Sequence, residues 1–166
     1  MCSPVSFAKF RGVCAVVVAL AVSACSGEAP SCPFTGVADT APSAGCFVAS
    51  GQELLLVQGF NGKLSPPGGS SVPGESAQCT AFRETWEETG LRLRPGELLE
   101  VFDTGFHLYR CDRDAHSGEI DPPVRFEIRD AFFLPVARFD KFEWRYPEQQ
   151  LLLKARLMDG AGDQSP

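Results

Sequence analysis

The chain is predicted to be an α/β protein, with a mixed β-sheet packed between helices. Three observations point there. Short apolar and aromatic runs stand on both sides of a central helical pattern from about Ser76 to Thr89. A second helical pattern, Pro147 to Leu157, follows the last of those runs. The composition is globular: 166 residues, 44% hydrophobic and 22% charged, are enough for one core but not for two.

Residues 1–24 stand apart as a signal segment. Lys9 and Arg11 precede an apolar run from Val13 to Val22 that ends in small residues, the layout of a secretory signal. That run is too short to span a bilayer as a permanent helix. Val22-Ser23-Ala24-Cys25 resembles the lipobox of bacterial lipoproteins. The resemblance implies cleavage before Cys25 and a lipid on that cysteine. With Ser26 next, it implies passage to the periplasmic side of the outer membrane. A plain secretion signal with a chance cysteine is the alternative. Residues 25–43 then comprise the lipidated cysteine and a tether rich in Ser, Gly, Ala and Pro. Cleavage removes Lys9 and Arg11 and no acid, so attraction to anionic headgroups is not what would hold the chain at a membrane.

Cys2 and Cys14 would leave with the signal, and Cys25 would carry the lipid. Cys32, Cys46, Cys79 and Cys111 remain, an even number that in an exported domain suggests two disulfides with three possible pairings. Cys32 with Cys46 and Cys79 with Cys111 is the favoured arrangement. A zinc site is disfavoured, because no two of them show Cys-x2-Cys spacing.

The folded domain is expected over 44–157, with a disordered tail over 158–166. Cys46–Ala49 and Glu53–Val57 read as strands around a turn at Ser50-Gly51-Gln52. A Gly- and Pro-rich loop runs from Gly59 to Gly74. In the helix that follows, Ala77, Ala81 and Thr85 form a small-residue face suited to close approach to a sheet, and Phe82 and Trp86 form a second stripe. Gly90 lies where a helix places its left-handed terminating residue. Leu98–Phe102, Phe106–Cys111 and Val124–Leu134 read as strands, with an acidic loop over 111–123. The final helix carries Leu151, Leu152 and Leu153.

The chemistry is concentrated between Gly69 and Leu91. Glu84, Glu87 and Glu88 are spaced to share one helix face, where they repel each other unless a cation sits on them. A hard divalent ion such as Mg2+ or Mn2+ suits carboxylate oxygens. A solvated acidic face is the bland reading, and three glutamates alone would favour it. The preceding Pro-Gly-Gly loop, Glu75 and Arg83 shift the balance to a metal site.

This segment resembles the Nudix box, Gly-x5-Glu-x7-Arg-Glu-aliphatic-x-Glu-Glu-x-Gly-aliphatic. Gly69, Glu75, Arg83, Glu84, Glu87, Glu88, Gly90 and Leu91 all fit, and only Thr85 departs, standing where Ile, Leu or Val is usual. Gly62 to Gly69 looks like the family's loop into the box, although Val72 stands where many members carry Glu. Trp144 to Gln149 looks like its closing segment. The resemblance implies a Nudix-like α/β/α sandwich with a central mixed sheet, and a hydrolase acting on a small-molecule diphosphate. It implies Mg2+ or Mn2+ held by Glu84, Glu87 and Glu88 with a backbone carbonyl near Gly68 or Gly69. Glu84 or Glu87, or an acid on a later loop, would deprotonate water. Glu75, Arg83 and Gly90 would brace the site.

The net charge of −6 argues against a nucleic acid polymer as partner. A Nudix-fold binding or sensor module without turnover, an isoprenoid diphosphate isomerase, and a cytoplasmic enzyme with a coincidental lipobox are the rival readings. Asp112, Asp114, Glu119 and Asp121 offer an extra base or ligand, or a solvated loop. His107 and His116 have no nucleophile motif beside them. Trp144 and Tyr146 suit either ring stacking or core packing, and Glu148 suits either a role behind the site or a helix cap.

Overall fold

The computed structural model describes residues 30–162, with side chains up to Asp159. The expected signal segment, Cys25 and residues 163–166 lie outside the described residues. Eight strands, two α-helices and one 3-10 turn follow in order. They are β1 Ser43–Phe47, β2 Ala49–Ser50, β3 Glu53–Gln58, β4 Leu64–Ser65, β5 Gly68–Ser70, α1 Ala77–Thr89, β6 Leu93–Val101, β7 Phe106–Arg113, β8 Asp130–Pro135, the 3-10 turn Val136–Lys141, and α2 Pro147–Gly162.

The strands form two four-stranded ladders. One runs β5-β1-β7-β6, and in the other β3 pairs with β2 and β4 and also with β8. β1 and β7 are parallel, with Gly45 opposite Leu108, and the other pairs are antiparallel. Side chains alternate between faces along each strand, and the sheet therefore has two cores. Ala44, Cys46 and Val48 of the β1–β2 stretch join Leu55, Tyr109 and Cys111 against Ala77 and Ala81 of α1. Phe47, Leu54, Leu56 and Leu108 join Phe139, Trp144, Leu153 and Leu157 on the α2 side. The result is the α/β sandwich with a mixed sheet that the sequence predicted.

Several boundaries move. The predicted Gly- and Pro-rich loop contains β4 and β5, which lack any apolar alternation. β6 starts at Leu93, five residues before the predicted Leu98, and α2 runs through Gly162 instead of stopping at Leu157. The tail predicted from 158 therefore starts as helix. The predicted strand Val124–Leu134 is a strand only from Asp130, and residues 125–127 form a turn.

The disulfides are Cys32–Cys79 and Cys46–Cys111, with Cα separations of 5.4 and 5.5 Å, which corrects the predicted pairing. The strand register explains the second bridge. Cys46 lies opposite Tyr109 on the neighbouring parallel strand, and Cys111, two residues on, points to the same face. The first bridge corrects the tether from Pro30 onward. Residues 30–42 lack regular secondary structure, yet Cys32 is bonded to α1 and Asp39 is held by Gln78 and Tyr109. Asp39 N–H donates to Gln78 Oε1 at 3.0 Å, and the Tyr109 hydroxyl donates to Asp39 Oδ2 at 2.9 Å.

Candidate metal centre

Two caps fix the length of α1. Ser76 stands in extended conformation before the helix, and its Oγ accepts the Cys79 N–H at 3.2 Å. Gly90 closes it at φ 75°, donating its N–H to the Trp86 carbonyl at 2.7 Å. A Cβ there would run into the Asp121 carbonyl, so glycine is required by conformation and by space. The small face works as predicted: Ala77, Ala81 and Thr85 are fully buried. This placement sets Arg83, Glu84, Glu87 and Glu88 in the last two turns, beside β5. Gly69 is the point of closest approach, because a Cβ there would collide with the Glu84 carboxylate.

Arg83 is the hub. Its Nε and Nη2 each donate to Glu75, both at 2.9 Å, in a two-pronged contact. Nη1 donates to Glu84 at 2.7 Å and to Glu87 at 3.2 Å, while Nη2 also reaches the Ser70 carbonyl at 2.9 Å. Glu75 further accepts the Thr80 hydroxyl at 2.8 Å and the Val72 N–H at 3.2 Å. Burial pushes the Glu75 pKa up, but the Arg83, Thr80 and Val72 hydrogen bonds outweigh it and the pKa falls below its ordinary value. Val72 thus enters through its backbone, and its side chain is exposed.

One oxygen each from Glu84, Glu87 and Glu127 lies within 4.8 Å of the others. Glu127 was not among the predicted site residues. It sat inside the predicted strand Val124–Leu134, where Val124, Phe126 and Ile128 alternate with Arg125, Glu127 and Arg129. The chain instead leaves Pro122-Pro123, hydrogen-bonds from Val124 N–H to the Glu87 carbonyl at 3.3 Å, and turns so that Glu127 faces α1. The Pro-Pro pair is the one local sign of that turn. Asp112, Asp114, Glu119 and Asp121 are not in this cluster. Asp114 pairs with Arg94 at 3.2 Å, and Asp121 pairs with Arg125.

Glu88 lies beside the trio instead of within it. Its side chain is buried and accepts the Gly68 N–H at 2.8 Å. Burial first, then the charges of Glu84 and Glu127, raise its pKa to about 8, against the pull of the Gly68 N–H and Arg145. Burial also raises Glu84 and Glu87, and Arg83 only partly offsets it. Three carboxylates, Glu75, Glu84 and Glu87, therefore engage one guanidinium, with Glu88 and Glu127 beside them, and the oxygen donor set fits a hard divalent cation.

Two clefts open on this centre. One of about 280 Å³ is lined by Phe60, Ser65, Glu88, Glu127 and Arg145. The other, of about 160 Å³, is lined by Gly68, Gly69, Phe106, Tyr146 and Gln149 and shares Ser65 and Arg145 with the first. Tyr146 borders the cleft, whereas Trp144 is buried on Phe139 with ring centroids 5.1 Å apart. Glu148 is exposed in the first turn of α2 and is not a member of the carboxylate trio. His107 Nδ1 lies 3.3 Å from the Tyr109 hydroxyl, and His116 is exposed beside Asp114.

Fold and site define an α/β domain that presents a braced carboxylate cluster from one helix to a forked cleft. The family model for the NUDIX domain matches residues 39–154, and the chain belongs to the Nudix family. It is 32% identical over 89 residues to the NAD-capped RNA hydrolase NudC of Chromobacterium violaceum, covering 52% of this chain and 34% of that protein. The chain thus spans about a third of the length of the curated relative it matches. Among solved structures, a UDP-X diphosphatase superposes with a TM-score of 0.60 at 22% identity, over 77% of this chain and 67% of the other. An ADP-ribose pyrophosphatase from Streptococcus suis superposes at 0.58 and 20% identity, over 74% and 91%. These two show the shared fold.

Proposed function

We propose that the protein is an exported, lipid-anchored hydrolase that cleaves an organic diphosphate, such as a nucleoside-diphosphate-linked compound, with Mg2+ or Mn2+. The observation that carries this reading is the carboxylate trio of Glu84, Glu87 and Glu127, whose Glu127 lines an open cleft together with Glu88. These three would hold the metal, with Glu88 and the Gly68–Gly69 backbone alongside. The bound ion would neutralise developing phosphate charge and lower the pKa of a bound water.

The protein's own groups divide the remaining work. Arg83 holds Glu84 at 2.7 Å and Glu87 at 3.2 Å, so Glu87 is the freer of the two to take a proton from attacking water. Glu75 and Gly90 brace the helix end and its arginine. Arg145 makes no ion pair among the described residues and stands where the two clefts meet, placed to receive a phosphate. The neighbours' activities on UDP-X and ADP-ribose support nucleotide diphosphates as first substrates to try.

The test is metal-dependent release of a monophosphate product by the full-length protein from a diphosphate panel. Glu84→Gln and Glu127→Gln should each lower kcat by about a hundredfold or more. Both should also lose the rise in melting temperature that Mg2+ gives the parent. Full activity in either variant, or in excess chelator, rejects the reading. Export is supported by the signal-like start of the chain and by two disulfides, which persist in oxidising compartments. Membrane fractionation with a mature N-terminus at Cys25 is the expected outcome for the anchor, and recovery as a soluble protein beginning at Met1 rejects it.

A further inference from the structure

The larger cleft holds two cations that the fold does not neutralise. Lys63 and Arg145 both line it, and neither makes an ion pair among the described residues. Glu88 and Glu127 line the same cleft. Once a metal occupies the carboxylates, the two cations are left for an anion.

The backbone places Lys63 on the cleft side. Leu64, the first residue of β4, is fully buried and lies beside Trp144 in parallel register. Leu64 N–H donates to the Glu143 carbonyl at 2.9 Å, and Arg145 N–H donates to the Leu64 carbonyl at 2.8 Å. Alternation turns Lys63 and Ser65 away from the buried Leu64 face, and both residues line the cleft. The same alternation turns Arg145 away from buried Trp144. Its guanidinium lies 5.4 Å from the Tyr146 ring centroid, near enough to Glu88 for its charge to act there.

Four hydrogen bonds pin the loop that carries Lys63. Gly62 N–H donates to the Gly59 carbonyl at 2.9 Å, and Gly59 N–H donates to the Lys63 carbonyl at 3.0 Å. Lys63 N–H donates to Asn61 Oδ1 at 3.0 Å, and Gln58 Nε2 donates to the Gly62 carbonyl at 2.9 Å. Lys63 itself is half-buried, so its ammonium swings from an anchored base. A partly dehydrated ammonium is a strong donor to a phosphate oxygen.

We infer that Lys63 is a substrate-binding residue that, with Arg145, clamps the oxygens of a phosphate group in the larger cleft. The inference rests on the diphosphate reading for the ligand and adds a residue that grips it. Lys63 acts as a point charge, so arginine can replace it and a neutral amide cannot.

The experiment reads binding without turnover. Calorimetry on the full-length protein in saturating Mg2+ uses methylenediphosphonate, a diphosphate analogue that water does not cleave. Lys63→Gln should weaken its binding about tenfold or more, and Lys63→Arg should stay within about threefold of the parent. Lys154→Gln, which removes a lysine paired with Asp140, should change nothing. The rise in melting temperature that Mg2+ gives should be the same in Lys63→Gln as in the parent, which separates the clamp from the metal centre. Equal binding by Lys63→Gln and parent overturns the inference. So does an equal loss in Lys154→Gln, a loss that Lys63→Arg fails to restore, or no binding by the parent. Hydrolysis of the diphosphate panel is followed in parallel, where Lys63→Gln should raise KM about tenfold and leave kcat within about threefold. Analogue binding that depends on Lys63 without any turnover rejects the hydrolase and leaves the clamp. Turnover with an unchanged KM in Lys63→Gln rejects the clamp and leaves the hydrolase.

Discussion

Thr85 sits where the small face of α1 meets β1, fully buried, with a hydroxyl that has no partner. Its volume suits the site and its polarity does not. Thr85→Val removes the unpaired group and keeps the shape, so stability should rise by about 1 kcal/mol. Thermal melting reads this directly, and a lower melting temperature would show that the hydroxyl finds a partner after all. The position was legible in sequence as the one break in an otherwise complete motif, and so was the need of its hydroxyl for a partner. Glu127 was not legible. Alternation between apolar and charged neighbours is a genuine strand signal, but here it spans a turn. Which acid faces α1 is set by β8 pairing with β3 as far as Asp130 opposite Gln58, a contact across more than seventy residues.

The elements show the same divide between local and distant causes. α1 was readable to within a residue because its cap serine, its small face and its terminal glycine are all encoded within the helix and its two ends. The disulfide pairing was not, because it depends on β1 lying parallel to β7, a strand order that no local pattern carries. Residues 30–42 are the element with most to lose. They have no ladder of their own, and the Cys32–Cys79 bridge closes a span of 47 residues that fastens them to α1. Cys79→Ala should cost about 2–4 kcal/mol, chiefly by freeing the unfolded chain. It should also raise amide exchange in 30–42 more than in β3 or β8. A uniform rise across the domain would mean that the segment is not a separate unit of stability.

At the scale of the whole molecule, a chain of net charge −6 gathers Glu75, Glu84, Glu87, Glu88 and Glu127 at one site, and that site should govern much of how stability responds to pH. Glu88 titrates near its ordinary 4.5 when unfolded and at about 8 when folded. Between those values the folded protein holds a proton that the unfolded chain has released, so stability falls as pH rises. The contribution is complete below 4.5 and gone above about 8, with a slope of up to roughly 1.4 kcal/mol per pH unit. Glu84 and Glu87 are raised too and act in the same direction. Glu75 acts with the opposite sign. Its pKa is lowered, so its contribution is lost only as pH falls below 4.5, outside this window. Denaturant unfolding in chelator should therefore show stability declining from pH 5 to 8, and Glu88→Gln should flatten most of that decline. A divalent ion prefers the ionised carboxylates and binds the folded state, so Mg2+ should stabilise the protein more at pH 8 than at pH 5. Equal stabilisation at both values would mean that the ion does not compete with protons at these carboxylates, and the metal centre would then have to lie elsewhere.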